Sequence, residues 1–159
     1  YPSRLRGVGD IRPAPEAKLF AEYVVSVEFP LTLRANVRRV LGGSDGWIGD
    51  LGAYLPLPGS SERFVWFAGA SLTFADSRYM DRWFGVGEAQ SVRSGYRRHE
   101  ASAGLRSVGF GASAVWVTGT HWLFGANLAI AQLTGTAADS PLTERTTNTA
   151  LALSVLYRF

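Results

Sequence analysis

Ser113, His121 and Asp139 supply the three residue types that nucleophilic catalysis uses: a hydroxyl, a base and an acid. Any chain of 159 residues offers such a triple, and no nucleophile elbow or other ordered motif supports this one. The chain has no cysteine and two histidines, His99 and His121, neither of which has the spacing of a zinc site. We therefore expect no catalytic residue, no metal site and no cofactor, and a protein that is not an enzyme.

Two glycine pairs fall short of a phosphate-binding loop. The sequence GVG occurs at residues 7–9 and again at residues 85–87. Both copies lack the later glycine and the strand-to-helix context that would direct helix N–H groups at an anion, so they predict turns. The formal net charge of +3 comes from 16 basic and 13 acidic side chains that are spread along the chain. No nucleic-acid partner is expected from this distribution.

Two segments carry side chains that suit binding. Residues 93–100 gather charge around Tyr96 and could contact lipopolysaccharide phosphates, although a solvated loop is the simpler interpretation. An apolar cluster precedes them and consists of Tyr79, Met80, Asp81, Trp83 and Phe84. This cluster is either a surface for a partner or ligand, or a plug in the mouth of a barrel. The need to bury its rings and its methionine favours the plug.

The segments around these residues alternate in side-chain character with a period of two, which is typical of β-strands. Residues 147–159 have one small or polar face and one apolar face, whose last members are Val155, Tyr157 and Phe159. Residues 64–74, 107–116 and 122–131 repeat the pattern, and weaker versions occur at 19–27, 31–38 and 47–55. The sequence therefore predicts seven strands, joined as antiparallel hairpins.

The apolar strand faces point to a membrane. No run of about 18 apolar residues occurs, which excludes a membrane-spanning helix. Aromatic residues stand at both ends of the apolar face of residues 64–74. In the wall of a membrane barrel, aromatic residues are enriched at these two positions, where the strand meets the interfaces of the bilayer. We predict an all-β, antiparallel up-and-down transmembrane β-barrel that contacts the lipid of the bacterial outer membrane. A soluble β-sandwich is the alternative.

The opposite strand faces carry charge. Glu22, Arg34, Arg38 and Asp50 are predicted to point into the barrel lumen, where opposite charges on neighbouring strands can pair. Short connections at residues 29–30, 56–62 and 118–120 alternate with longer ones at 77–100 and 137–146, and residues 42–46 are a short exception. Bacterial barrels have short periplasmic turns and longer outer loops, so the C-terminus is predicted to be periplasmic.

Several segments resemble one family of outer-membrane proteins, that of the MltA-interacting protein MipA and the outer-membrane protein OmpV. They are FADSRYMDRWFGV at residues 74–86, AGLRSVG at 103–109, AADSP at 137–141, and GVGDI at 7–11 with LFAEY at 19–23. The most specific parts are YMD at 79–81, FGV at 84–86 and DSP at 139–141. The resemblance spans nearly the whole chain, and it implies a longer protein with a signal peptide and several strands upstream of Tyr1.

The resemblance implies a scaffold that brings a murein-degrading lytic transglycosylase together with a murein synthase. The alternative function is a pore whose lumen charges set ion passage, or an adhesin whose outer loops bind a host surface. Val155, Tyr157 and Phe159 resemble the C-terminal signal that outer-membrane barrels present to the barrel assembly machinery. Because seven strands would leave two open edges, we expect residues 1–159 to be a single domain of a larger, even-stranded barrel, incomplete at its N-terminus.

Overall fold

The computed structural model describes residues 15–28, 30–41 and 46–159. Its seven strands follow chain order in one antiparallel sheet: β1 Glu16–Val24, β2 Thr32–Val40, β3 Trp47–Pro56, β4 Phe64–Ala75, β5 Gly104–Thr118, β6 Trp122–Leu133 and β7 Thr147–Tyr157. Three helices lie in the two long connections: α1 Ser77–Phe84, α2 Glu88–Ser94 and α3 Gly135–Ala138. The predicted all-β, up-and-down architecture is confirmed. The GVGDI segment at 7–11, Phe29 and residues 42–45 lie outside the described residues.

The strand register joins the apolar faces of neighbouring strands into one surface. Leu51 pairs with Leu72, and Leu128 pairs with Leu151. Directly paired residues share a face of the sheet, so the alternating apolar residues of all seven strands form a continuous outer face. Even on the central strands this face is open, with Leu128 39% and Phe110 51% exposed. An apolar surface of this extent marks contact with a membrane or a partner.

The sheet is a single open layer. Within the described ranges no backbone hydrogen bonds pair β7 with β1, so these two strands are the edges of the sheet. The β-sandwich alternative requires a second sheet, and the described part of the chain contains one sheet only. None of the helices described here combines the length and the apolar character needed to cross a membrane. That the chain is part of a larger closed barrel stays a prediction.

The buried core lies at one end of the sheet, where the long connections meet it. Its members are Ile48, Ala75, Met80, Ala101, Leu133 and Ala137. Side chains alternate between the two faces along each strand, and Ile48, Ala75 and Leu133 occupy the positions on the face opposite the outer face. The long connections therefore fold onto the other side of the sheet, which we call the inner face.

The opposite end of the sheet has short, well-bonded turns. Between β3 and β4 the Trp66 indole Nε1 donates to the carbonyl oxygen of Pro58 at 2.9 Å, and Ser60 Oγ donates to the carbonyl oxygen of Leu57 at 2.9 Å. Gly59 (φ +87°) and Gly119 (φ +63°) occupy left-handed backbone conformations that favour glycine. These hydrogen bonds and backbone conformations define the two turns.

Candidate functional site: the loop plug and the charged inner face

Helix α1 carries the predicted apolar cluster and begins at a side-chain cap. Asp76 Oδ1 accepts a hydrogen bond from the backbone N–H of Tyr79 at 2.8 Å, and the N–H of Gly85 donates to the carbonyl oxygen of Asp81 at 2.8 Å at the other end. An aspartate at this position satisfies an N–H group that the helix leaves unpaired. The sequence predicts only a long connection at residues 77–100, so α1 and its cap are a finding of the structure.

The structure divides the predicted cluster between the interior and the surface. Met80 is 1% exposed, and Tyr79 and Phe84 pack against the same core while remaining partly accessible. Asp81 faces solvent, and the Trp83 ring is 44% exposed although its centroid lies 5.9 Å from that of Tyr79. Three of the five residues thus pack against the core on the inner face of the sheet, and their role as a plug of a barrel mouth stays a prediction.

The two long connections are bonded to each other, and we call residues 76–103 and 134–146 together the loop plug. A two-way backbone bridge joins Val86 and His99, and His99 Nε2 lies 2.8 Å from the carbonyl oxygen of Thr136. Ser140 Oγ donates to the carbonyl oxygen of Phe84 at 2.6 Å. Because the contacts of His99 with Thr136 and of Ser140 with Phe84 cross from one connection to the other, the loop plug is one cross-linked unit.

The four predicted lumen charges lie together on the inner face. Arg34 Nε is 2.6 Å from Glu22 Oε2. Arg38 lies between two carboxylates, with Nη1 3.7 Å from Glu16 and Nη2 3.7 Å from Asp50. The Arg34 side chain is 59% exposed, so this pair is solvent-screened and contributes little to stability. The cluster is better suited to attracting or steering ions than to holding the sheet together.

Tyr54, which sequence analysis did not single out, lies flat on the inner face beside these charges. Its cross-strand neighbours are Gly69 on β4 and then Gly111 on β5. A Cβ placed on Gly69 would lie 2.6 Å from Tyr54 Cδ1, so the glycine makes room for the ring. The Arg34 guanidinium lies 5.3 Å from the ring centroid, within range of a cation–π contact. The sequence signal for this contact is a tyrosine that pairs with glycines on the neighbouring strands. It can be recognised only once the pairing of the strands is known.

Aromatic residues mark the two ends of the outer face. Near the short turns, the rings of Trp122 and Tyr157 lie 4.8 Å apart, and at the plug end Arg39 lies 5.2 Å from the Trp47 ring. Phe64 and Phe74 stand at opposite ends of the outer face of β4. Their ten-residue separation is roughly 33 Å along the strand, or about 25 Å of height for a strand tilted by about 40°. That height matches the apolar band of an outer-membrane barrel.

The candidate catalytic triple is not assembled. Ser113 Oγ donates to Asn127 Oδ1 at 2.7 Å in the middle of the sheet, while His121 lies in the turn before β6 and Asp139 lies beyond its other end. The 12 residues of β6 separate the last two by roughly 40 Å. Among the residues that the structure describes, no group of three or more His, Cys, Asp or Glu side chains could hold a metal ion.

Comparisons with known proteins identify relatives that are named as outer-membrane proteins. Two curated relatives, both named "Putative outer membrane protein YiaT", come from Escherichia coli strain K12 and Escherichia coli O157:H7. Each is 26% identical over 130 residues, which cover 80% of this chain and 51% of the relative. The chain therefore spans about half the length of these curated relatives. No solved structure matches it significantly.

The family comparison covers almost the entire chain. The sequence model described as "MltA-interacting protein MipA" matches residues 2–159. This match and the named location of the relatives, together with an exposed apolar face of membrane height, assign the chain to the outer membrane. The resemblance predicted from the segments at 74–86 and 137–141 is confirmed. The chain belongs to the family of the MltA-interacting protein MipA.

Proposed function

We propose that the protein is an outer-membrane scaffold that links the membrane to murein turnover by holding a lytic transglycosylase near a murein synthase. The observation that carries the proposal is the family match over residues 2–159, since the family is described by its interaction with MltA. The proposal assigns no catalytic step to this chain. Its own contribution is a rigid platform with one face in lipid and one end available to partners.

The short-turn end is the proposed platform, and it faces the periplasm together with the C-terminus. The turn at residues 57–63 exposes Glu62 and Arg63 while its backbone is fixed by bonds such as the 2.8 Å contact from Leu57 N to the carbonyl oxygen of Trp66. A partner that binds a rigid turn does not have to order it first, which lowers the entropic cost of association. The loop plug occupies the other end and would face outward.

Two further partners are proposed for the protein, the lipid of the outer membrane and the barrel assembly machinery. The outer face would contact lipid through its central leucines and phenylalanines, with Leu128 and Phe110 accessible on the central strands. The C-terminal signal would be Val155, Tyr157 and Phe159. Val155 is 60% exposed and Phe159 is fully exposed, so both side chains are available for recognition at the edge strand.

A pull-down from detergent extracts tests the scaffold. The full-length protein would be compared with a double variant, Glu62→Lys with Arg63→Glu, that reverses both charges of the turn. The matched control reverses charges at the plug end, with Arg98→Glu and Glu100→Lys. We expect the wild type and the control to retain a lytic transglycosylase and the turn variant to lose most of it. Equal retention by all three proteins would reject the turn as the docking surface, and no retention by any would reject the scaffold.

A pore is the second candidate, and the paired charges on the inner face favour it. The ion pair of Arg34 with Glu22 and the position of Arg38 between Glu16 and Asp50 would give a lumen with alternating charge. Planar-bilayer recordings of the full-length protein would compare the wild type with Arg34→Ala and Arg38→Ala. A pore predicts altered ion preference in both variants. Unchanged conductance and selectivity would remove this candidate.

A further inference from the structure

A pocket of about 360 Å³ opens where the loop plug meets the start of β7. Its walls include Trp83, Phe84, Arg106, Glu144, Arg145 and Asn148. The volume lies within the range of roughly 300–1,000 Å³ that is usual for small-molecule sites. Two leucines and two aromatic rings line part of the pocket, and polar side chains that include two arginines and one glutamate line the rest, so the pocket suits a ligand with both polar and apolar surface. This pocket belongs to neither the proposed docking turn nor the charged cluster on β1 to β3.

A β-bulge directs Arg106 toward this pocket. The register between β4 and β5 shifts so that Thr73 pairs with Ser107 while Phe74 pairs with Leu105, which leaves Arg106 as the extra residue. Strict alternation would place Arg106 on the outer face. Instead its guanidinium lies 5.7 Å from the centroid of the Tyr79 ring, in the loop plug. Bulges commonly re-aim a side chain next to a functional site.

The Arg106 side chain is held in place, and one of its donors, Nε, has no acceptor among the described residues. Its guanidinium also lies 5.8 Å from the Phe84 ring centroid, so two aromatic rings fix its position. Its Nε is buried and has no hydrogen-bond partner among the described residues. Buried donors are normally paired, and a guanidinium fork fits a carboxylate with two parallel hydrogen bonds. Because Arg106 and Arg145 outnumber the single carboxylate of the lining, Glu144, the pocket favours a ligand that carries an anionic oxygen pair.

Trp83 provides the second contact. Its ring is 44% exposed at the pocket wall, and its centroid lies 5.9 Å from that of the Tyr79 ring. An exposed indole offers a flat apolar surface for the C–H face of a pyranose ring, while the Asn148 amide can both donate to and accept from hydroxyl groups. We propose that the pocket binds an acidic saccharide, with the sugar carboxylate on Arg106 and the sugar ring on Trp83.

Calorimetry on the full-length protein folded in detergent tests the proposal directly. The probes are a disaccharide of glucuronic acid, its methyl ester, and acetate. We expect the acid to bind and the ester to bind roughly tenfold more weakly, since a charge-assisted bond to a buried donor is lost. The proposal is overturned if acid and ester bind equally, if acetate binds as well as the saccharide, or if the acid shows no binding up to about 10 mM.

Variants locate the site. Arg106→Gln and Trp83→Leu should each weaken binding of the acid by roughly tenfold. The matched controls are Arg98→Gln, in an exposed arginine paired with Glu100, and Trp122→Leu, whose indole is 45% exposed at the far end of the sheet. Equal effects of test and control variants would overturn the assignment. If Arg106→Gln fails to fold, the comparison of the acid with its methyl ester on the wild-type protein still tests whether the carboxylate is recognised.

Discussion

The hydroxyl of Ser140 donates a hydrogen bond to the carbonyl oxygen of Phe84 at 2.6 Å, across 56 residues of sequence. The two residues belong to the FGV and DSP segments that carry the family resemblance most specifically. Ser140 is 4% exposed, and its oxygen also accepts from the N–H of Leu142 at 3.2 Å. Two separated parts of the family pattern therefore meet at one buried contact, and it joins the two halves of the loop plug.

Removing this hydroxyl should loosen the loop plug without unfolding the sheet. Ser140→Ala leaves the Phe84 carbonyl and the Leu142 N–H without this partner, at a cost of about 1–3 kcal/mol. We expect faster tryptic cleavage within residues 78–98, measured on the folded full-length protein in detergent. Ser102→Ala is the control, because Ser102 is exposed and contributes its carbonyl oxygen, which the substitution keeps. Identical cleavage rates for the two variants would show that the contact does not hold the plug.

The strands were predictable because each has two faces with different surroundings. The alternation in residues 64–74 and 147–159 contains both the strand period and the face that must be apolar, so it predicts that Leu128 and Leu151 share the outer face, while their direct pairing also depends on the connection between the two strands. The pairing of Glu22 with Arg34 could be anticipated for the same reason. Local alternation contains this information without any knowledge of distant residues.

The loop plug and its pocket were not predictable in this way. Helix α1 has eight residues and helix α3 has four, too few for a helical period to emerge from the sequence. Arg106 reaches the pocket only because of a bulge, and by alternation alone it belongs on the outer face. Its partners Tyr79 and Phe84 lie on α1, in the connection that precedes β5. Each of these contacts depends on packing between distant segments.

Met80 should contribute most of the packing that holds α1 on the sheet. It is 1% exposed in the core with Ile48 and Leu133. Met80→Ala would remove buried methylenes and leave a cavity, at a cost of about 2–5 kcal/mol. We expect faster amide hydrogen exchange throughout α1. Val92→Ala, at a position that is 83% exposed in α2, serves as the control and should leave exchange unchanged. Slow exchange in the Met80 variant would mean that α1 is held by its hydrogen bonds instead.

Gly69 should tolerate no side chain because the Tyr54 ring and the β3 backbone occupy the space. A Cβ at Gly69 would lie 2.8 Å from Tyr54 Cα and would also meet the carbonyl oxygen of Ala53. Gly69→Ala is expected to cost about 1–3 kcal/mol through the backbone shift that it forces. At Gly49 the corresponding Cβ would meet its nearest atom at 3.5 Å, an ordinary contact, so Gly49→Ala is the control. Urea unfolding midpoints in detergent compare the two, and equal midpoints would contradict the proposed packing of Tyr54.

A charged side chain introduced on the outer face should impair folding into the membrane, whereas one on the inner face should be tolerated. Leu128 lies on the outer face near the middle of β6, and Ala152 lies on the inner face of β7 beside Asn127. In a bilayer, Leu128→Arg places a guanidinium near the midplane at a cost of about 2–4 kcal/mol, whereas an arginine at residue 152 meets a polar surface. We expect Leu128→Arg to lower the yield of the heat-modifiable folded form in lipid vesicles and Ala152→Arg to leave it near the wild-type level. Equal yields would mean that the apolar face does not contact lipid, whereas a loss confined to Ala152→Arg would reverse the assignment of the two faces.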